Sequence, residues 1–192
     1  MKLERPFRVV ITGGPCAGKT ELWRLLGARF PDAVLVPEAA SQLMLEGDTP
    51  ERAGIEAFQE RVYRRQLLLE TEALRRGRFL ICDRGVVDGL AYSPGILQRL
   101  GVSVEAALKR YGLVLQACVI PDSDSYRAYS GSNPMRRENH LQALELEKAL
   151  GRIYASHPAY HFLWGSLEAK WAAAVQIVLG RRGLEKPELE FS

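Results

Sequence analysis

The octapeptide Gly13-Gly14-Pro15-Cys16-Ala17-Gly18-Lys19-Thr20 fits the pattern G-x-x-x-x-G-K-[ST]. Its surroundings matter as much as its letters. Phe7–Thr12 ahead of it is a short β-branched apolar run, the signature of a buried strand. Lys19–Phe30 behind it carries Leu22, Trp23, Leu25, Leu26 and Phe30 at helical spacing. A strand, a glycine loop and a helix in that order curl backbone N–H groups around an anion, and the helix N-terminus adds positive potential. Lys19 can then reach outer phosphates, and Thr20 can give an oxygen to Mg²⁺. Residues 13–20 are therefore expected to bind a nucleoside triphosphate with Mg²⁺. Cys16 reads as a small filler of the loop rather than a redox switch, because no resolving thiol stands near it in the sequence.

The remainder of the chain alternates in the same manner. Strands are expected at 33–37, 79–82, 113–120 and 160–164. Helices are expected at 38–45, from Thr49-Pro50 through Leu74, at 86–92, 104–110 and 136–156, and from a Ser166 cap to about Gly180. Residues 121–134 hold Pro, Asp, Ser, Gly and Asn without periodicity and read as a loop. Alternation of this kind predicts an α/β fold, a parallel sheet covered on both faces. Its 192 residues suit one domain, taken as 1–182, with a patternless tail at 183–192.

Composition removes several classes. With 47% hydrophobic residues there is material for one sizeable core. A net charge of +3 argues against extended nucleic-acid binding as the main task. Three cysteines make no disulfide scaffold, the N-terminus is too polar for a signal peptide, and no run is long enough to span a membrane. The expectation is a cytoplasmic protein. Of its 26 basic residues, 20 are Arg, the better fork for phosphate oxygens.

In an open α/β sheet, ligands bind beyond the carboxyl ends of the strands. Glu38 follows the second strand, and Asp83-Arg84 follows the third. Asp83 stands where an NTPase places its second Mg²⁺ carboxylate; a helix cap is the alternative. Arg84 can fork onto a phosphate or carboxylate, or make only a surface pair. Glu38 can take the proton of an acceptor hydroxyl, or merely suit the first turn of a helix. Asp88 can hydrogen-bond a polyol such as ribose, or occupy a helix N-terminal turn. The Arg-rimmed segment 126–138 reads as a lid, with Arg127, Arg136 and Arg137 able to neutralise a transferring phosphate or to sit in surface pairs.

Other residues invite plainer readings. Trp164 and Trp171 are expected in the core. His140, His157 and His161 lack metal-ligand spacing with any cysteine. Arg61, Arg64 and Arg65 read as the polar face of the long helix.

The order VVITGGPCAGKT, VPEAA, AFQERVYRRQLLLE, CDRGVVDGLAY and RRENHLQALELEKALGRIY resembles the AAA-type ATPase and nucleotide-kinase-like P-loop family. That family is related to the ribosylnicotinamide kinase domain of NadR and, more distantly, to deoxynucleoside and thymidylate kinases. The resemblance implies a P-loop NTPase three-layer sandwich with strand order 2-3-1-4-5 and a lid after the fourth strand. It also implies ATP or GTP with Mg²⁺, a catalytic base at Glu38, and a metal and acceptor role for Asp83 and Arg84. The leading expectation is a kinase acting on a hydroxyl of a small metabolite, with nucleosides among the candidates. The alternatives are a nucleotide-switched binding module and a nucleoside monophosphate kinase.

Overall fold

The computed structural model describes residues 5–131 and 138–183. Five strands, β1 (Phe7–Thr12), β2 (Val34–Val36), β3 (Phe79–Asp83), β4 (Leu113–Ala117) and β5 (Tyr160–Leu163), form one parallel sheet in the order β2-β3-β1-β4-β5. β1 lies at its centre, with Val9 beside both Ile81 and Leu113. The expected fold and strand order are those observed.

Strand side chains alternate between two cores, as a sheet buried on both faces requires. Val9, Ile11, Ile81 and Leu115 face the side covered by α1 (Lys19–Arg29) and α9 (Leu167–Arg182). Val10, Leu80, Cys82 and Val114 face the side covered by α4 (Ile55–Arg76) and the end of α8 (His140–Tyr154). Short helices α2 (Ala39–Leu45) and α3 (Pro50–Ala53) precede α4, while α5 (Ile96–Arg99) and α6 (Val104–Leu108) lie between β3 and β4. None of the helices described is long and apolar enough to cross a membrane.

Several boundaries depart from expectation for physical reasons. Thr49-Pro50 opens only the four-residue α3; Gly54, at φ 79° and ψ 147°, breaks the chain before α4 begins. Residues 123–130, read as loop, form α7 (Ser123–Ser130). The Asp122 carboxylate accepts from Ser125 N at 2.7 Å and caps that helix, while Tyr126 alone buries its apolar side. One anchor in eight residues leaves no period to detect. α8 begins at His140 rather than 136, behind a capping box of Asn139 and Gln142. β4 leaves the sheet at Ala117, after which Val119 N donates to the Glu147 carboxylate. Trp164 is 72% exposed, not core, and lies tilted against the Phe162 ring; Trp171 is partly buried against the core as expected. Arg136, Arg137 and residues 184–192 of the tail lie outside the described residues.

Arg61, Arg64 and Arg65 do line the polar side of α4, and two of them do more. Arg61 pairs with both oxygens of Asp48, and Arg65 with both oxygens of Glu46 at 2.7 and 2.8 Å. They tie the α2–α3 connection to the long helix.

Behind β3 a charged cluster gathers around one fully buried carboxylate. The Glu70 side chain is 0% exposed. It accepts from Arg110 at 2.7 Å and from the Tyr111 hydroxyl at 2.9 Å, with Arg8 at 3.5 Å. Tyr111 in turn accepts from Val86 N at 2.7 Å, so the loop after β3 rests on this cluster. Removing one member of such a group leaves uncompensated charge. Glu70→Ala is expected to lower the unfolding free energy by about 3–5 kcal/mol. Urea melts of parent and variant measure this, and a loss within error of zero contradicts the assignment.

Candidate active site

The phosphate loop is shaped by close packing as well as by backbone freedom. A Cβ on Gly13 would lie 2.4 Å from Ala117 O, and one on Gly14 would lie 2.6 Å from Ala143 O. Both glycines are needed so that the loop can press against β4 and α8. Lys19 folds back over the loop and donates to Gly14 O at 2.8 Å. On the other side Lys170 of α9, only 5% exposed, donates to Ala17 O at 3.1 Å and Cys118 O at 2.7 Å. It joins the loop to the exit of β4. No sequence pattern signalled this lysine.

The carboxyl ends of β2 and β3 bring the expected residues to the loop's mouth. The Thr20 hydroxyl donates to Asp83 Oδ2 at 2.8 Å. Asp83 is buried, and its Oδ1 has no hydrogen-bond partner among the described residues. Burial and then the charge of Glu38 raise its pKa, against the pull of Lys19 and Thr20. It ends a strand and caps no helix.

Arg84 follows in the left-handed region, at φ 76°. A side chain other than glycine is uncommon there, and its backbone is pinned on both sides. Arg84 N donates to Ile11 O at 2.9 Å, and Gln66 Nε2 donates to Arg84 O at 3.2 Å. This conformation aims the guanidinium into the cleft. Its Nε donates to Glu38 Oε1 at 2.5 Å and its Nη1 to Asp88 Oδ2 at 3.2 Å, while the group lies 6.0 Å from the Tyr92 ring centroid. This is an inward pair with two carboxylates, not a surface bridge.

Glu38 occupies the N-cap position of α2 but makes no capping bond. Its second oxygen accepts from the Ser41 hydroxyl at 2.5 Å instead. Burial would raise its pKa; the Arg84 and Lys19 charges and the two hydrogen bonds outweigh that and hold it below the ordinary value. Ser41 lies three residues on, one turn of helix away, a signal readable in the sequence once Glu38 is singled out.

Asp88 opens a 3₁₀ turn (Asp88–Ala91) and lines the same cleft, but both its oxygens are engaged. Oδ2 accepts from Thr12 at 2.7 Å and from Arg84; Oδ1 accepts from Tyr154 at 2.6 Å and Gly85 N at 3.2 Å. Gly85 is required here, since a Cβ would lie 2.5 Å from Tyr154 Oη. Arg127 stands apart on α7, largely exposed and paired with Asp124 at 3.3 Å. It does not line the cleft.

The cleft has a volume of about 650 Å³ and runs from the phosphate loop past Glu38 to the first half of α4. Sequence reasoning missed its aromatic lining of Phe58, Tyr63, Tyr92 and Tyr129. These residues come from three separate segments and share no motif.

A family model described as an AAA domain matches residues 8–170. The chain belongs to the AAA domain family. No curated relative matches it significantly. This AAA domain is similar in structure to NadR in complex with NAD and AMP-PNP, with a TM-score of 0.70 and 16% identity over 97% of the chain and 52% of NadR. It therefore spans about half the length of that protein. It is also similar to thymidylate kinase from Candida albicans, with a TM-score of 0.69 and 15% identity over 94% of each chain. Shikimate kinase from Acinetobacter baumannii, in complex with shikimate, gives 0.57 and 16% identity over 94% of each chain. At these identities the likeness establishes a P-loop kinase-like fold for the AAA domain.

Lys19 offers a direct handle on the site. Burial, and next the charge of Arg84, lower its pKa to about 8, with Glu38, Asp83 and Asp88 pulling the other way. A triphosphate favours the protonated ammonium, so binding raises this pKa and takes up a proton at alkaline pH. Affinity for a non-hydrolysable ATP analogue is expected to be flat well below pH 8 and to fall as pH rises through 8. The limiting slope is about tenfold per pH unit. Titration calorimetry across that range checks it; a pH-independent Kd contradicts it.

Proposed function

We propose that this AAA domain is a small kinase that transfers the γ-phosphoryl group of ATP or GTP to a hydroxyl of a small metabolite. The observation that carries the reading is Glu38, an ionised carboxylate in the cleft, held by Arg84 and Ser41 opposite the phosphate loop. An acceptor that is already a phosphate needs no base, whereas a hydroxyl must lose its proton. The depressed pKa keeps Glu38 in the proton-accepting form at neutral pH.

In the proposed reaction the acceptor oxygen bonds to the γ-phosphorus and the bond to the bridging oxygen breaks, releasing the diphosphate. The hydroxyl proton passes to Glu38. Lys19 and the loop amides hold the phosphates, and Arg84 places positive charge beside both base and transferring group. Asp88 acts through Arg84, as a positioning residue. Arg127 stands outside the cleft, so among the described residues charge stabilisation rests on Lys19 and Arg84; Arg136 and Arg137, outside the described residues, are proposed to add to it.

The Thr20 hydroxyl and Asp83 carboxylate fit Mg²⁺, being hard oxygen donors 2.8 Å apart with a buried Asp83 oxygen still unpaired among the described residues. When bound there, the ion supplies charge against the β- and γ-phosphates.

The charges around the cleft also weigh against a monophosphate acceptor. Among the described residues its only cations are Lys19 and Arg84, and Arg84 is already shared by two carboxylates. Glu51 and Glu138 add negative charge to the lining.

Glu38→Gln is expected to retain affinity for the non-hydrolysable triphosphate while acceptor-stimulated turnover drops by about 100-fold or more. Triphosphate consumption is measured across a panel of metabolite alcohols. Unchanged turnover in the variant overturns the assignment of the base.

A further inference from the structure

The sheet has two edges, and they are finished differently. β2 is three residues long and is followed at once by Pro37. Shortness and proline are common means by which an open edge is kept from pairing with another chain. β5 carries no such device. Residues 159–164 read Ala-Tyr-His-Phe-Leu-Trp, without a charged side chain or a proline. Trp164 at its end is 72% exposed and tilts against Phe162, with 4.4 Å between ring centroids.

The hydrogen bonds to β4 fix which main-chain groups this edge leaves open. Val114 N donates to Ala159 O and Cys118 N donates to Leu163 O, both at 3.0 Å. A strand turns alternate residues to its neighbour, so 159, 161 and 163 face β4. The N–H and C=O of Phe162 point the other way, together with Tyr160 O and Trp164 N. Tyr160 N already donates to His157 O at 3.2 Å. Among the described residues no turn or side chain caps the Phe162 main chain.

The side chains are sorted as well. His161 and Leu163 turn to the face covered by α9, and Tyr160, Phe162 and Trp164 turn to the opposite face. Phe162 packs into neither of the two cores. The open edge therefore carries an aromatic row of three.

Charge on the neighbouring helix says what can lie beside that edge. α9 runs back along β5, with Glu168 in its first turn and Arg181 and Arg182 in its last. Arg181 comes near the strand, where its charge adds to burial in lowering the His161 pKa. A second copy of this sheet, continued with its β5 antiparallel, would set the two α9 helices in opposite directions on one face. Glu168 of each copy then lies toward Arg181 of the other, and the helix dipoles oppose. A parallel continuation would set like ends together.

We propose that two copies of this chain pair through β5, antiparallel about a two-fold axis at Phe162, and join their five-stranded sheets into one. The Phe162 N–H and C=O of each copy form a reciprocal pair, and Trp164 N donates to Tyr160 O of the other copy. Phe162 meets its own mate across the seam, and Tyr160 meets Trp164. The edge is complementary to itself, as a two-fold contact requires. Nothing in this pairing depends on the kinase reading.

The test is the mass of the full chain in solution, by sedimentation equilibrium over a concentration series. Twice the monomer mass is expected. Trp164→Lys, a charge placed on the exposed edge, is expected to return the protein to monomer with an unchanged circular dichroism spectrum. The second arm reverses charges on α9, away from the strand. Glu168→Arg and Arg181→Glu are each expected to weaken association about tenfold at low salt, the scale of two exposed ion pairs made repulsive. The double variant is expected to recover it. A monomer at every concentration overturns the proposal, as does an assembly larger than two. A dimer that Trp164→Lys leaves intact also overturns it. Single reversals without effect, or a double variant no tighter than the singles, overturn the antiparallel seating and the proposal with it.

Discussion

The site depends on one guanidinium shared between two carboxylates. Arg84 reaches Glu38 with one nitrogen and Asp88 with another, from a backbone held in the left-handed region. Neither acid alone would have reason to stand so close to the other in a buried cleft. Arg84 lets a carboxylate from the second crossover and one from the third occupy the same volume. It also sets the chemistry of each: Glu38 stays ionised, and Asp88 becomes a fixed anchor with no capacity left over.

That arrangement is supported from beneath. Asp88 is gripped by Thr12 at the end of β1 and by Tyr154 at the end of α8. Val86, two residues earlier, hangs from Tyr111, which rests on Glu70. The polar residues are therefore layered. One set gathers around the buried Glu70 under α4, a second holds the loop after β3, and the outermost set faces the cleft. Each layer takes hydrogen bonds that the next would otherwise leave unmet, which is how so much buried charge is tolerated in a small domain.

Much of this was legible in the sequence, but unevenly. The phosphate loop and the five strands are local patterns, each contained within about a dozen residues, and they were readable for that reason. Strand order came from the family resemblance rather than from periodicity. Glu38, Asp83 and Arg84 were identifiable because strand ends in α/β sheets are where ligands bind. What could not be read was pairing across distance. Glu38 and Arg84 are 46 residues apart, and nothing in either segment announces the other. Asp88 was expected to face a ligand, yet its oxygens face four protein partners, which only the folded geometry reveals. Residues 123–130 escaped because a helix needs more than one buried residue to show a period. Trp164 was misplaced because an aromatic residue at a strand end is indoors or outdoors according to the neighbouring helix, not the strand.

Lys170 gives the last helix an unexpected standing. By holding Ala17 and Cys118 through their carbonyl oxygens, it makes α9 a keystone between the nucleotide loop and the strand from which the α7 segment departs. The phosphate loop and the exit of β4 are thus both held to one ammonium group. Shortening the chain from its C-terminal side past this residue would thus remove more than an outer layer of the sandwich. It would cut the link that joins the phosphate loop to the exit of the neighbouring strand.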